Sequence, residues 1–554
     1  MPRDDHIDKP YLPNRKDFHL EKGTVMKSLM KKVFAAAAAI ATVFGLAATT
    51  VATANAADNA TLTVSTTDAK FAGKTVNAYK MFSATVSGDG KAVSYTLTDE
   101  WKPFFKNSVG LTGVTDENVN DKANDYVSKL KDSTLVAFAT KASNWAQTKA
   151  NNITADATAT VSADASNGKY TATFTGLGYG YYVVAVPGAT LANAKSQYAT
   201  LVSVHSTKVD ADIKGDLPTV DKKVQVDGTG KDATDAKIGD TLTFTLTSTI
   251  PDMSAYDTYT FNFKDTLSKG LTFGQVKSVK VENVTLTENT DYTVTTPTAS
   301  NNNTLTVAMK DFKTKQQANA GKKITVTYTA TLNENAVVGG AGNVNSAKIQ
   351  YSNNPSTNGT GESEPSKVRV FTYGFTVDKY TGDQYTDAAT RLAGAEFTLA
   401  HKDGSAISFV QVSAGSATAN AVYRVAKAGE TGTTTITTPA NGKVVFQGLK
   451  NGEYTLTETK APAGYNKLAS AIGVKVNGSN DGTDTTNATV NITYNNDNND
   501  TTYDQTASNG VIPVQNKSGA ILPGTGGMGT IAFTVIGVLV IALGVAWTLK
   551  RKNA

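Results

Sequence analysis

Five residues near the C-terminus, Leu522-Pro523-Gly524-Thr525-Gly526, have the types and order that suit acyl transfer. Pro523 restricts its own backbone and that of Leu522, while Gly524 and Gly526 leave the Thr525 carbonyl unobstructed. The segment therefore reads as an extended, accessible substrate. Groups able to do chemistry on the chain's own account are scarce. There is no cysteine, and the four histidines, His6, His19, His205 and His401, are far apart in sequence. No zinc-type ligand set, phosphate-cradling glycine loop or Gly-x-Ser-x-Gly elbow is legible, so neither a metal nor a cofactor is expected.

The flanking elements say where such a substrate would be presented. An apolar run from Ile531 to Leu549, at about 1.5 Å per residue, makes roughly 28 Å of helix, near the thickness of a bilayer core. Lys550-Arg551-Lys552 after it would hold the C-terminus inside, so a transient membrane insertion is expected. At the other end, Met26 opens a basic stretch through Lys32, an apolar run follows from Val33 to Ala48, and Ala54-Asn55-Ala56 supplies an A-x-A cleavage site. It reads as a cleaved signal peptide, with a mature chain expected to begin near Ala57. The first 25 residues read as an upstream mis-start in preference to an unusually long n-region. The pentapeptide, the apolar span and the basic tail together resemble a cell-wall sorting signal. The resemblance implies a sortase, a cysteine transpeptidase that forms a thioester with the Thr525 carboxyl.

A length of 554 residues predicts several domains, since single cores seldom exceed about 250 to 300 residues. From Asp58 onward, alternating stretches such as Thr241–Leu246, Lys323–Tyr328 and Tyr454–Thr457 have a period of two. They predict half-buried strands and a mainly β chain of tandem sandwich domains. Between 98 and 150, Leu130, Leu135, Phe138, Ala139 and Trp145 recur at loosely helical spacing, which predicts helical insertions in the first domain. Pro218 and the stretch Ser363-Glu364-Pro365-Ser366 set boundaries that give domains of 58–214, 215–366 and 367–517, between the N-terminal 1–56 and the C-terminal 518–554. The polar patch from Asn495 to Asn499 reads as a hairpin tip. A formal charge of +5 is small for this length and does not argue for nucleic acid. An exported chain usually staples itself with disulfides; without cysteine it relies on packing or on another crosslink.

The third domain carries Tyr454-Thr-Leu-Thr-Glu458-Thr-Lys-Ala-Pro462-Ala-Gly464-Tyr465. This resembles the E-box, Y-x-L-x-E-T-x-A-P-x-G-Y, of the collagen-adhesin B-type domains of Gram-positive surface proteins and pilins. The resemblance implies a small inverse immunoglobulin-like sandwich closed by an isopeptide bond between a first-strand lysine and a last-strand asparagine. Phe375-Thr-Val-Asp-Lys379 precedes Leu392-Ala-Gly394-Ala-Glu-Phe397 as the family pattern requires, so Lys379 matches the lysine. Ile512-Pro-Val514-Gln-Asn516 nominates Asn516 as its partner. Burial would lower the pKa of such a lysine so that a neutral, nucleophilic amine is available. A carboxyl buried beside it, Glu458, would polarise the carboxamide and pass a proton to the leaving ammonia.

The middle domain resembles the second domain of fimbrial shaft subunits through Pro218-Thr-Val-Asp-Lys222-Lys223-Val224, Phe263-Lys-Asp265-Thr-Leu267 and Gly342-Asn343-Val-Asn345. That implies a second bond, between Lys222 and Asn345, with Asp265 as the proton-shuttling acid. Lys223 and Asn343 are the neighbouring alternatives; alternation puts Lys222 on the apolar face of Val220 and Val224. The first domain, through Gly73–Phe82 and Phe174–Val184, is similar to pilin N-terminal domains. Such domains end in V-x-V-Y-P-K, whose lysine joins the next subunit. Here Val209-Asp-Ala-Asp-Ile213-Lys214 keeps the spacing and the lysine but lacks Tyr and Pro; Lys214 is the candidate and Lys208 its nearest competitor.

These resemblances together imply a major pilin of a Gram-positive bacterium that is not a turnover enzyme. Pilus-class and housekeeping sortases would polymerise it through Thr525 and a lysine of the next subunit. Identical subunits and minor or tip pilins are its expected partners, and attachment to peptidoglycan puts it on the cell surface. The alternative is a monomeric wall-anchored adhesin that binds a host or matrix ligand.

Overall fold

The computed structural model describes residues 59–519, apart from 89, 91, 190–198, 354–358, 387–388, 480–481, 483–487 and 497–501, and the isolated Ile541. The expected signal peptide with Ala54 and Ala56, and the segment Leu522 to Gly526 with its apolar run and basic tail, lie outside the described residues. Among the described residues no helix is long and apolar enough to cross a membrane. The chain divides into two compact units. The first is drawn from Met1–Ala233, Thr241–Thr331 and Val344–Arg369, and the second from Thr234–Asp240, Leu332–Asn343 and Val370–Ala554.

In the first unit, the long strand Thr75–Val86 pairs with Val93–Leu97, Ala157–Thr160 and Gly180–Ala185, and the last of these pairs with Ala199–Val204. A three-stranded sheet sets Ala60–Thr66 between Tyr170–Leu177 and the edge strand Lys208–Asp212, to which it runs parallel. The helical insertions are Lys102–Asn107, Val119–Ser128 and Asp132–Gln147. Pro103 opens the first of them, where its missing N–H costs nothing. Phe138, Ala139, Ala142 and Ala146 recur every three or four residues and bury one helical face together with Trp101, Phe104, Phe82 and Tyr181. Trp101 meets Phe104 edge-on at 5.4 Å between ring centres, a favourable quadrupole arrangement.

The remainder of the first unit is built on two further sheets. One sets Asp221–Val226 beside Thr241–Thr249, which pairs with Lys323–Leu332. The other sets Phe261–Leu267 between Asn343–Ser352 and Thr304–Met309. Strict alternation turns Phe261, Phe263, Asp265 and Leu267 inward from one strand, and Asn345, Ala347 and Ile349 inward from its neighbour. The first strand after the boundary set at Pro218 begins at Asp221. Pro218 has no N–H to give to a ladder, so the pairing starts after it.

In the second unit, Tyr373–Thr381 pairs antiparallel with Lys443–Leu449 and parallel with the last strand, Val511–Gln515. Another sheet runs Glu396–His401, Gly452–Lys460, Ile472–Gly478, Val490–Tyr494, Gln505–Thr506. Gly394, in the turn that feeds Glu396–His401, has φ 79°, a left-handed conformation that explains a glycine at this place in the motif. Of the polar patch expected to be a hairpin tip, residues 497–499 lie outside the described residues, and Asn495 is buried, its side chain accepting from Gly473 N–H at 2.9 Å.

Candidate functional site: two buried clusters of lysine, carboxyl and asparagine

Nineteen polar or charged residues are buried among the described residues, and six of them form two clusters of the same composition. Lys222, Asp265, Asn345 and Lys379 are 0% exposed, Glu458 2% and Asn516 1%. Charge this deep is costly unless it is paired, so each cluster needs a reason.

The first cluster is in the first unit. Lys222 shares an inward face with Val224 on Asp221–Val226, and its amine lies 5.1 Å from the ring centres of both Phe244 and Tyr328. Asp265 and Asn345 come from the facing sheet, where Leu267 is opposite Asn345 and Asp265 opposite Ala347. Lys222 Nζ is hydrogen-bonded to Asp265 Oδ2. It also donates to the Tyr328 hydroxyl at 2.9 Å, and that hydroxyl donates to Asp265 Oδ2 at 2.6 Å. Asn345 Nδ2 donates to the same hydroxyl at 2.6 Å. Desolvation, opposed by Asp265, pulls the Lys222 amine down to about 8, and burial pushes the Tyr328 hydroxyl well up.

The neighbouring alternatives are engaged elsewhere. Lys223 points to the other face and bonds Asp232 at 2.6 Å. Asn343 spends its carboxamide on the backbone of Val337 and Val370.

The second cluster is in the second unit. Phe375, Val377 and Lys379 face inward from Tyr373–Thr381, and Ile512, Val514 and Asn516 continue the same alternation along the last strand. The parallel pairing sets Lys379 beside Val514, and Asn516 N–H donates to the Tyr380 carbonyl at 3.0 Å. Glu458 arrives from the other sheet, inward with Tyr454 and Leu456 and opposite Phe397. Lys379 Nζ lies 3.0 Å from Glu458 Oε1, a close ion contact off the hydrogen-bond direction. Asn516 Nδ2 donates to Glu458 Oε2 at 3.0 Å and to the Asn466 carbonyl at 2.9 Å, and Leu468 N–H also donates to Glu458 Oε2 at 2.8 Å. Burial, opposed by Glu458, brings the Lys379 amine down to about 8 as well.

Two groups in these clusters were not singled out from the sequence. One is Tyr328, which appeared there only as part of an alternating strand. The other is the backbone of Asn466 and Leu468, just past the Gly464-Tyr465 end of the motif. The signal for Tyr328 was its inward parity with Ile324 and Val326.

Lys214 is two residues past the edge strand Lys208–Asp212. Ile213, buried beside it, bonds Ser65 O at 2.8 Å, and Lys214 Nζ is 3.3 Å from Asp212 with its side chain 32% exposed. Lys208, at the start of that strand, is exposed.

Residues 238–355 match the family model of the Gram-positive pilin backbone subunit 2, Cna-B-like domain, and residues 383–493 match that of the SpaA prealbumin-like fold domain. Asp265, Tyr328 and Asn345 lie within the first match and Glu458 within the second. The trypsin-resistant surface T6 protein of Streptococcus pyogenes serotype M6 is 26% identical over 279 residues, which are 46% of this chain and 44% of that protein. The chain thus matches under half the length of this curated relative. Among solved structures, the T6 backbone pilin of serotype M6 Streptococcus pyogenes is 20% identical, with 76% of this chain and 83% of that one covered at a TM-score of 0.43. The major pilin SpaD of Corynebacterium diphtheriae is also 20% identical, with 83% and 98% covered at 0.38. Over these two stretches the chain is similar to domains of Gram-positive pilin backbone subunits.

Proposed function

We propose that this chain is the shaft subunit of a covalent surface pilus, built as three domains, 58–214, 215–366 and 367–517, and locked by two internal isopeptide bonds. The observation that carries the reading is the pair of buried lysine, carboxyl and asparagine clusters, each holding its amine against a carboxyl, with the asparagine bonded to that carboxyl directly in one and through the Tyr328 hydroxyl in the other. In each, the neutral lysine amine attacks the asparagine Cγ, the carboxyl moves a proton from the amine to Nδ2, and ammonia leaves. The fold holds the reactants together and supplies the effective concentration. A sortase cysteine then attacks the Thr525 carbonyl and releases Gly526 and the membrane segment. Lys214 of another subunit attacks the thioester, frees the thiol and extends the fibre, whose last subunit is passed to peptidoglycan. Cell-wall extracts boiled in detergent and probed for this protein are expected to show a ladder of multimers. A single monomer band would contradict polymerisation and favour the wall-anchored adhesin.

A pH effect follows for the unreacted state, isolated in an Asn516→Ala variant that keeps the Lys379 amine. Its folded-state value is about 8 against an ordinary 10.5. Below about 8 both folded and unfolded chains carry the charge, and the cost of burying it is felt in full. Between about 8 and 10.5 the folded chain gives up its proton first, so the unfolded chain binds more protons and stability rises with pH, by up to about 3 kcal/mol. Urea unfolding of the variant against wild type across this window measures the difference. A stability gap that widens with pH would contradict the assignment.

A further inference from the structure

The two clusters differ in how the carboxyl reaches the asparagine. In the second, Glu458 Oε2 contacts Asn516 Nδ2 directly at 3.0 Å. In the first, the contact to Asn345 Nδ2 is made by the hydroxyl of Tyr328, at 2.6 Å. That hydroxyl is also 2.6 Å from Asp265 Oδ2 and 2.9 Å from Lys222 Nζ. It therefore touches both nitrogens whose bonding would change, and the carboxyl that would move protons between them. Tyr328 is 0% exposed and its ring stacks on Phe244 with centres 5.3 Å apart and planes within 18°, so its position is fixed by packing.

We propose that Tyr328 is a catalytic residue of the Lys222–Asn345 closure, a hydroxyl relay carrying the proton from Asp265 to the leaving nitrogen of Asn345. The proposal rests on the isopeptide reading above. As Lys222 Nζ bonds to Asn345 Cγ, an amine proton passes to the Asp265 carboxylate and the carboxamide oxygen takes the electron pair. Asp265 then protonates the Tyr328 oxygen while the Tyr328 hydroxyl proton passes to Asn345 Nδ2. The carbonyl reforms, the Cγ–Nδ2 bond breaks and ammonia leaves. Asp265 and Tyr328 finish as they began, and one lysine proton has gone to the ammonia. A hydroxyl both donates and accepts, so the reversal needs only rotation of its hydrogen. The second cluster needs no relay because Glu458 already touches the leaving nitrogen.

The test is the rate at which each crosslink appears in the full chain after cell-free synthesis, followed by mass spectrometry of proteolytic peptides. Tyr328→Phe is expected to slow the Lys222–Asn345 crosslink at least about a hundredfold, the lower end of the range for general acid–base groups. The Lys379–Asn516 crosslink should form at the wild-type rate. Replacing Tyr328 by 3,5-difluorotyrosine keeps the hydroxyl and nearly the same shape but makes it more acidic, and is expected to shift the pH–rate profile of the first crosslink alone. A wild-type rate in Tyr328→Phe overturns the relay. So does a slow Tyr328→Phe with an unshifted fluorotyrosine profile, which would assign Tyr328 to packing. Absence of both crosslinks from the wild-type chain would instead overturn the isopeptide reading and the relay with it.

Discussion

Lys214→Ala is expected to collapse the detergent-resistant ladder to monomer, whereas Lys208→Ala leaves it in place. The expectation rests on presentation. Lys214 follows an edge strand whose end is pinned by buried Ile213 and its bond to Ser65, so the backbone is fixed while the amine reaches solvent. Its contact with Asp212, at 3.3 Å on the surface, is the kind of exposed pair that contributes little and is readily broken by an incoming thioester. The effect should be close to all-or-none, because without the accepting amine the acyl-enzyme has only water or the wall to go to. Immunoblots of wall extracts from cells that make each variant decide it. A ladder that survives Lys214→Ala and disappears in Lys208→Ala would move the junction to the other end of the strand.

The second large effect is on stability. A bond from Lys222 to Asn345 or from Lys379 to Asn516 closes a loop well over a hundred residues long, for which the loop-entropy relation used for disulfides gives about 5 kcal/mol each. Asp265→Ala or Glu458→Ala, by preventing closure, should therefore lower the melting temperature of the unit concerned by about 10 to 20 °C. Each also leaves a buried lysine without its carboxyl, which adds to the loss. Calorimetry of the single variants checks this, and each should also become sensitive to proteases at lower temperature. A melting temperature within a few degrees of wild type in both would contradict crosslinks of this size. Such bonds would answer the absence of cysteine from the chain, tying early strands to late ones as disulfides do in other exported proteins.

Much of this arrangement was legible in strand parity. Alternation placed Lys222 rather than Lys223 inward, and carried Glu458 inward with Tyr454 and Leu456. Parity could not separate Asn345 from Asn343, because residues two apart share a face. The separation is tertiary: Asn343 is consumed by the backbone of Val337 and Val370, while Asn345 meets Tyr328. The same limit hid Tyr328, since an inward aromatic in a strand reads as core until the opposite sheet is in place. The helical insertions were legible only as loose spacing. Their start is fixed by Pro103 and by Trp101, Phe104 and Phe105 clustering under the sheet, contacts that no periodicity reports. The division into two compact units, with Thr234–Asp240 and Leu332–Asn343 in the second, had no signature in composition at all.

The most direct test is the intact mass of the recombinant 57–521 segment, because each closure would expel one ammonia. The wild-type segment is expected to weigh about 34 Da less than the mass of residues 57–521, about 17 Da for each bond. Asp265→Ala and Glu458→Ala should each recover one such step beyond the change of residue. A wild-type mass equal to that of residues 57–521 would contradict the account, leaving Lys222 and Lys379 as buried ion pairs and nothing more.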